Sequence, residues 1–269
     1  MRYFENSNTN PYANLALEEY LVMGAGDTND WLLLWQNDPA VIVGRNQHTE
    51  NQVERGYAQE NGIAVVRRLS GGGAVYHDAG NLNFTIILRD AASLKNDFTY
   101  FTRPILDVLQ SYGVDAQFSG RNDLTIEGKK FSGNAQYNHG STVLHHGTIL
   151  WDSDLSVLAR VLKPKKRVVA RGVDSHESRV TNLAPYMPSS LTLGQFKQDL
   201  IDHFFENGLC DRELLNHSGR LHPASTSRFA EGSHLFEAVE QKYRSDEWNW
   251  GEGLPEETGD SIRSYPASC

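Results

Sequence analysis

Apolar residues along this chain repeat in two rhythms, a helical one and an alternating one, and the changes between them mark its elements. Asn10-Pro11 pairs a capping side chain with proline at the first helical position. Leu17, Tyr20 and Leu21 follow at helical spacing, which predicts an amphipathic helix to about residue 23. A turn-rich break from Gly24 to Asn29 leads into strand-like runs at Trp31–Trp35, Ala40–Gly44 and Ile63–Arg68. Gly80-Asn81 marks a turn, and Leu82–Leu88 reads as another strand. Residues 98–112 predict a helix with Phe98, Phe101, Ile105, Val108 and Leu109 on one face, ended by Gly113. Short strands are expected around Ala116–Phe118, Leu124–Ile126, Lys130–Gln136 and Thr142–Trp151. Helices are expected at 154–162, 192–206 and 233–243, the second opened by a Thr192…Gln195 capping box. No repeat is present, and the polar residues after Gly251 read as a loose tail. Many strands joined by tight turns, with helices before and after them, predict an α+β domain.

Composition narrows the class. The 269 residues are enough for one large domain, and 39% hydrophobic with 22% charged residues fits an ordered globular chain. A formal net charge of −9 argues against a nucleic-acid partner, whose phosphates favour basic surfaces. An acidic protein partner would have to meet a locally positive surface. The two cysteines, Cys210 and Cys269, form no CxxC spacing and no disulfide framework, as expected in a reducing compartment. The start, Met1-Arg2-Tyr3-Phe4-Glu5-Asn6, lacks a signal-peptide apolar run, and no stretch has bilayer-spanning length. A cytoplasmic protein with no membrane partner is expected.

The most unusual stretch is Arg67-Arg68-Leu69-Ser70-Gly71-Gly72-Gly73-Ala74-Val75-Tyr76-His77. Adjacent glycines are costly in backbone entropy, so they suit positive φ or close approach of a ligand, and successive N–H groups can hold an anion or a nucleotide. The stretch is neither a P-loop nor a dinucleotide fingerprint. The two arginines lie on opposite faces of an extended segment, so only one is expected to reach the site. A second stretch, Asn122-Asp123-Leu124 followed by Gly128-Lys129-Lys130-Phe131-Ser132-Gly133-Asn134-Ala135, reads as a strand with Lys130, Ser132 and Asn134 on one face. Lys130 would then lie in a groove that Gly133 keeps open, able to neutralise a carboxylate or an α-phosphate. Asp123 suits Mg²⁺ on a triphosphate, because that ion takes hard oxygen ligands. His145 and His146 face opposite ways on a strand, which argues against a two-histidine metal site.

These pieces, in this order, resemble the lipoate–protein ligase A family within the biotin/lipoate ligase superfamily. The resemblance runs through Asn14-Leu15-Ala16-Leu17-Glu18-Glu19, Val41-Ile42-Val43-Gly44-Arg45-Asn46-Gln47, Arg67–Asp78 and Ser119-Gly120-Arg121-Asn122-Asp123-Leu124. It continues through Gly128–Gly133, His145-His146-Gly147-Thr148-Ile149-Leu150, Ser178-Arg179-Val180-Thr181-Asn182-Leu183 and Glu247-Trp248-Asn249-Trp250-Gly251. It implies the biotin/lipoate ligase catalytic fold, a large mixed β-sheet plus a smaller sheet with flanking helices. It also implies a two-step reaction. ATP and lipoate give lipoyl-AMP and pyrophosphate, and a lysine of a lipoyl domain then displaces AMP to form an amide. The acceptor would be a lipoyl domain of a 2-oxoacid dehydrogenase E2 subunit, or a glycine-cleavage H protein.

Carried onto matching positions, Lys130 would contact the acyl carbonyl and the phosphate. Arg68 and Gly73, Ala74, Val75 and Tyr76 would hold the adenylate, with Asn122 and Asp123 near the phosphate and Mg²⁺. Arg45, Ser70, Gly71, Gly72 and His146 would line the acyl tunnel. Residues 1–251 are read as the catalytic domain and 252–269 as a polar tail in place of the accessory domain usual in this family. Asp246 also stands where the family commonly has an aromatic residue. A separate accessory protein, unaided activation or a preactivated donor would each fit that reading. The alternatives are an octanoyl or lipoyl transferase of the same fold working through a cysteine thioester, and a non-catalytic binder of lipoyl-AMP or of the carrier.

Overall fold

The computed structural model describes residues 1–23, 28–162, 180–207 and 233–251. Its larger sheet runs in the order β1 (Arg2–Glu5), β2 (Trp31–Trp35), β6 (Asn81–Leu88), β10 (Thr142–Leu150), β9 (Lys129–His139), β8 (Asp123–Ile126), β7 (Ala116–Ser119). The β1–β2 pair is parallel and the remaining pairs are antiparallel, so the sheet is mixed. In the smaller sheet β3 (Ala40–Val43) is flanked by β4 (Ala64–Arg67), parallel, and β5 (Val75–His77), antiparallel. The helices are α1 (Pro11–Val22), α2 (Arg55–Glu60), α3 (Phe98–Ser111), α4 (Leu155–Val161), α5 (Leu193–Glu206), α6 (Ser233–Arg244) and α7 (Asp246–Trp250).

Among the described residues, three clusters of buried side chains hold the layers together. On one face of the large sheet, Leu32, Leu34, Leu82, Phe84 and Ile86 pack against Phe101 and Ile105 of α3 and Phe196 and Leu200 of α5. On the other face, Leu33, Ile87 and Leu144 meet Leu17 and Leu21 of α1 and Ile42 and Val66 of the small sheet. The outer face of the small sheet, through Val41, Val43 and Val65, covers Ala58 of α2 and Val161 of α4. Each of the Val, Leu, Ile and Phe side chains contributes about 1.5–3 kcal/mol when fully buried.

Alternation and helical spacing located most of this. The β2 bounds, the end of α3 at Gly113 with φ 75°, and the Thr192–Gln195 capping box are all present. Four short elements, β1, β5, α2 and α7, were not expected, since three to six residues carry too little periodicity to stand out. The expectation of an amphipathic first helix is corrected. The helix lies between the two sheets and against α6, so even Asn14, Glu18 and Glu19 are buried. Their polarity is matched rather than solvated: Asn14 Nδ2 donates to Asn37 Oδ1 at 2.8 Å, and Glu19 pairs with Lys242.

Candidate active site

The lysine strand departs from simple alternation. Register between β8 and β9 shifts between Leu124 and Thr125, whose partners are Ser132 and Lys130, leaving Phe131 as the extra residue of a bulge. Phe131 and Ser132 are both buried, and the Lys130 side chain crosses to the Gly133 side of the strand. The predicted face of Lys130, Ser132 and Asn134 is therefore corrected: Lys130 shares its face with Gly133. The expected groove is there, because a Cβ on Gly133 would stand 2.7 Å from Lys130 Nζ. Asp123 Oδ1 lies 2.8 Å from the same ammonium, and both side chains remain partly open to solvent. Asn122 braces this corner, since its side chain donates to Asn134 O and its own carbonyl accepts from Asn134 N at 2.9 Å. The Lys130 carbonyl accepts from Thr181 N–H at 2.9 Å.

The glycine-rich segment begins as a loop and ends as β5. Arg68 is buried, and its guanidinium donates to Ile42 O at 3.0 Å, Gly71 O at 2.6 Å, Gly73 O at 2.8 Å and Ser70 Oγ at 3.0 Å. Burial lowers its pKa to about 10, which still leaves it cationic at neutral pH. Arg68 thus shapes the loop and brings positive charge into it. Gly72 has φ 91°, and its carbonyl approaches Gly44 so closely that a Cβ there would meet it at 2.1 Å. Arg45 N–H donates to Ser70 O at 2.9 Å, and its guanidinium lies over the Tyr137 ring. Arg67 and Arg68 do turn opposite ways, as alternation predicts.

Ser70 Oγ lies 2.5 Å from His146 Nε2, whose Nδ1 faces Glu18 at 3.0 and 3.1 Å. With Nδ1–H donating to the Glu18 carboxylate, Nε2 is left to accept the Ser70 proton. Thr85 also donates to Glu18, and Trp35 Nε1 donates to Thr85 at 2.9 Å. His145, on the opposite face, stacks on Phe101 with ring centroids 4.7 Å apart, and burial holds its pKa well below the usual range. The two histidines face opposite ways, as expected.

Two further residues were not singled out from sequence. Asn14 fixes the Asn37 amide, whose Nδ2 lies 3.0 Å from His77 Nδ1. That nitrogen must accept, so the proton sits on Nε2, which is buried and has no hydrogen-bond partner among the described residues. Burial lowers the His77 pKa to about 3, so the ring is neutral. Likewise Asn81 Nδ2 donates to Asn83 Oδ1 at 2.8 Å, leaving Asn83 Nδ2 a buried donor without a partner among the described residues. Asn83 pairs across the sheet with Trp35 and Thr148, and Thr148 Oγ1 accepts from Gly133 N–H at 3.3 Å. A row across four neighbouring strands therefore joins Trp35, Asn83, Thr148 and the glycine under Lys130. Only the unsatisfied donors reveal the pair; in the sequence His77 closes the glycine-rich stretch, and Asn83 lies in the polar alternation Asn81, Asn83, Thr85.

Among the described residues no three His, Cys, Asp or Glu side chains are grouped to hold a metal, and no helix is long and apolar enough to cross a membrane. Cys210, Cys269, Ser178-Arg179 and the tail 252–269 lie outside the described residues.

Residues 10–205 match the family model of the lipoyl protein ligase A/B catalytic domain. The chain is 37% identical over 253 residues to lipoate-protein ligase LplJ of Bacillus subtilis (strain 168), covering 93% of this chain and 74% of that protein. Its structure resembles a chain of an archaeal lipoylation system from Thermoplasma acidophilum, described as a bipartite lipoate protein ligase and its E2 lipoyl domain, with TM-score 0.75, 27% identity and coverage of 96% and 98%. It also resembles a lipoate-protein ligase A bound with ATP, with TM-score 0.73, 26% identity and coverage of 93% and 98%.

Proposed function

The chain belongs to the lipoyl protein ligase A/B catalytic-domain family, and from that premise we propose that it activates lipoate with ATP and passes the acyl group to a lysine of a lipoyl domain or H protein. The observation that carries the site assignment is the Lys130 ammonium. It lies over Gly133 beside Asp123 and on the sheet face that carries His146 and Asn83. Joining a carboxylate to an α-phosphate brings two anions together, and a partly buried ammonium lowers that barrier most as charge builds on the phosphorus. Arg68 and the backbone of Gly73, Ala74, Val75 and Tyr76 hold the adenylate. Arg45, Ser70, Gly71, Gly72 and His146 line the acyl side. His77 and Asn83 add two neutral donors for ligand oxygen or nitrogen acceptors. The attacking amine belongs to the partner, so the chain needs no nucleophile and acts by positioning and exclusion of water.

Asn122 and Asp123 lie toward the phosphates. With no larger ligand group among the described residues, Mg²⁺ would rest on Asp123 and complete its shell with triphosphate and water oxygens. That suits an ion that takes one or two carboxylates and keeps several waters. Bound there, it supplies charge neutralisation on the phosphates. Residues 1–251 are read as the catalytic domain, working in the cytoplasm. A separate partner protein would fit the likeness to the archaeal ligase described as bipartite. The test is the mass of a purified lipoyl domain after incubation with this chain, lipoate, ATP and Mg²⁺. An added lipoyl group dependent on all components is expected, and an unmodified domain even when synthetic lipoyl-AMP is supplied would sink the reading.

A further inference from the structure

Arg67 stands beside Arg68 and faces away from the glycine-rich loop. It is 1% exposed, and burial lowers its pKa only to about 10, so it stays charged. Its Nε donates to Trp248 O at 2.7 Å, and Nη1 donates to the carbonyls of Gly44 at 3.2 Å, Arg45 at 2.9 Å and Gln47 at 2.7 Å. Nη2 donates to Thr49 Oγ1 at 3.0 Å and Gly251 O at 2.8 Å. The backbone joins the same contact: Arg67 N–H donates to Asn249 Oδ1 at 2.9 Å, and Trp248 Nε1 donates to Arg67 O at 2.8 Å. The guanidinium has five N–H groups and six acceptors, so nothing is left over for a ligand. A buried charge of this kind is tolerated only because backbone carbonyls on every side solvate it.

The carbonyls it gathers come from two distant places. Gly44, Arg45 and Gln47 form the loop after β3, while Trp248 and Gly251 flank the end of α7. The loop's opposite side is a wall of the acyl site, where Gly44 meets the Gly72 carbonyl and Arg45 N–H holds Ser70 O. Asn249 extends the connection, since its Nδ2 donates to Tyr243 O of α6 at 2.7 Å and its carbonyl accepts from Thr49 Oγ1 at 2.6 Å.

We infer that Arg67 is a positioning residue for lipoate binding, and that α7 acts through it to hold the 44–47 loop against the glycine-rich segment. The Glu247–Gly251 stretch is then part of the working site although it faces away from the ligand. This inference rests on the ligase reading. Lipoate binding to the full chain, measured by calorimetry beside pyrophosphate release, tests it. Arg67→Lys keeps the charge but offers three donors without the planar fork. It should weaken lipoate binding about tenfold, the scale of one or two lost charge-assisted hydrogen bonds, with a smaller change in maximal turnover. Asn249→Ala should weaken binding in the same way from the α7 side, and the double variant should be no worse than the poorer single one. Ile201→Ala, in the cluster beyond the large sheet, controls for lost stability and should bind lipoate as the wild type does. Should Arg67→Lys fail to fold, Asn249→Ala carries the comparison. Wild-type affinity in both variants, or an equal loss in the Ile201 control, would overturn the inference and leave the ligase reading intact. A wild-type chain that binds no lipoate would overturn both.

Discussion

Lys130 and Gly133 occupy the same side of one strand, the ammonium resting 2.7 Å from the point where a Gly133 side chain would begin. A bulge at Phe131 brings them together, so the lysine's direction depends on an irregularity and its room depends on a missing methyl group. Gly133→Ala should therefore displace the flexible lysine head, with little loss of stability and at least about a tenfold fall in turnover, or roughly 1.4 kcal/mol of transition-state stabilisation. Thermal unfolding and pyrophosphate release measured on the same sample check this. Full activity would mean that the lysine works from another position.

Gly44 has a less forgiving neighbour. A Cβ there meets the Gly72 carbonyl oxygen at 2.1 Å, and backbone cannot swing aside as a lysine can. Gly44→Ala should cost about 1–3 kcal/mol, typical of overpacking, and should weaken lipoate binding as well. Denaturant titration is the check, and an unchanged midpoint would contradict the close approach.

Asn83 makes the opposite prediction. Its Nδ2 is buried without a partner among the described residues, while its Oδ1 accepts from the buried Asn81 Nδ2, so replacing both amides together in Asn81→Leu/Asn83→Leu orphans no donor and should leave the unfolding temperature little changed. The same change should raise the KM for ATP about tenfold, the worth of one hydrogen bond to ligand. A KM equal to that of the wild type would show that the donor does not touch the nucleotide.

His77 links the site to acid stability. Its pKa is about 3 in the folded chain, lowered first by burial and then by the Arg68 charge, against 6.5 when exposed. The unfolded chain binds the extra proton between these values, so the stability contribution is complete above about pH 6.5 and falls away toward pH 3. At pH 5 the loss amounts to about 2 kcal/mol for this residue. Buried His145 is shifted the same way and adds to it. Denaturant titrations at pH 7.5 and 5 should show a smaller drop for His77→Gln than for the wild type. An equal drop would contradict the assignment.

How much of this was legible in the sequence depends on whether a residue acts locally or through a partner far along the chain. The glycine-rich segment, Lys130 and the opposed directions of Arg67 with Arg68 and of His145 with His146 follow from local spacing. The Lys130 face was misread, because a bulge adds a residue without leaving a signal in the alternation of Lys129 to Asn134. The burial of Glu18 had no local signal, since its partners Thr85 and His146 stand 67 and 128 positions away in the chain. The Arg67 contacts span more than 180 positions, as the Trp248 and Gly251 bonds show, and no local pattern encodes such a separation.

The most direct test of lipoate activation at Lys130 is pyrophosphate release from ATP and Mg²⁺, with and without lipoate, for the full chain and for Lys130→Ala. Release that requires lipoate in the wild type and vanishes in the variant, with both chains unfolding at similar temperatures because the side chain is partly exposed, is the predicted result. Release that continues undiminished in the variant, or that ignores lipoate, would contradict it.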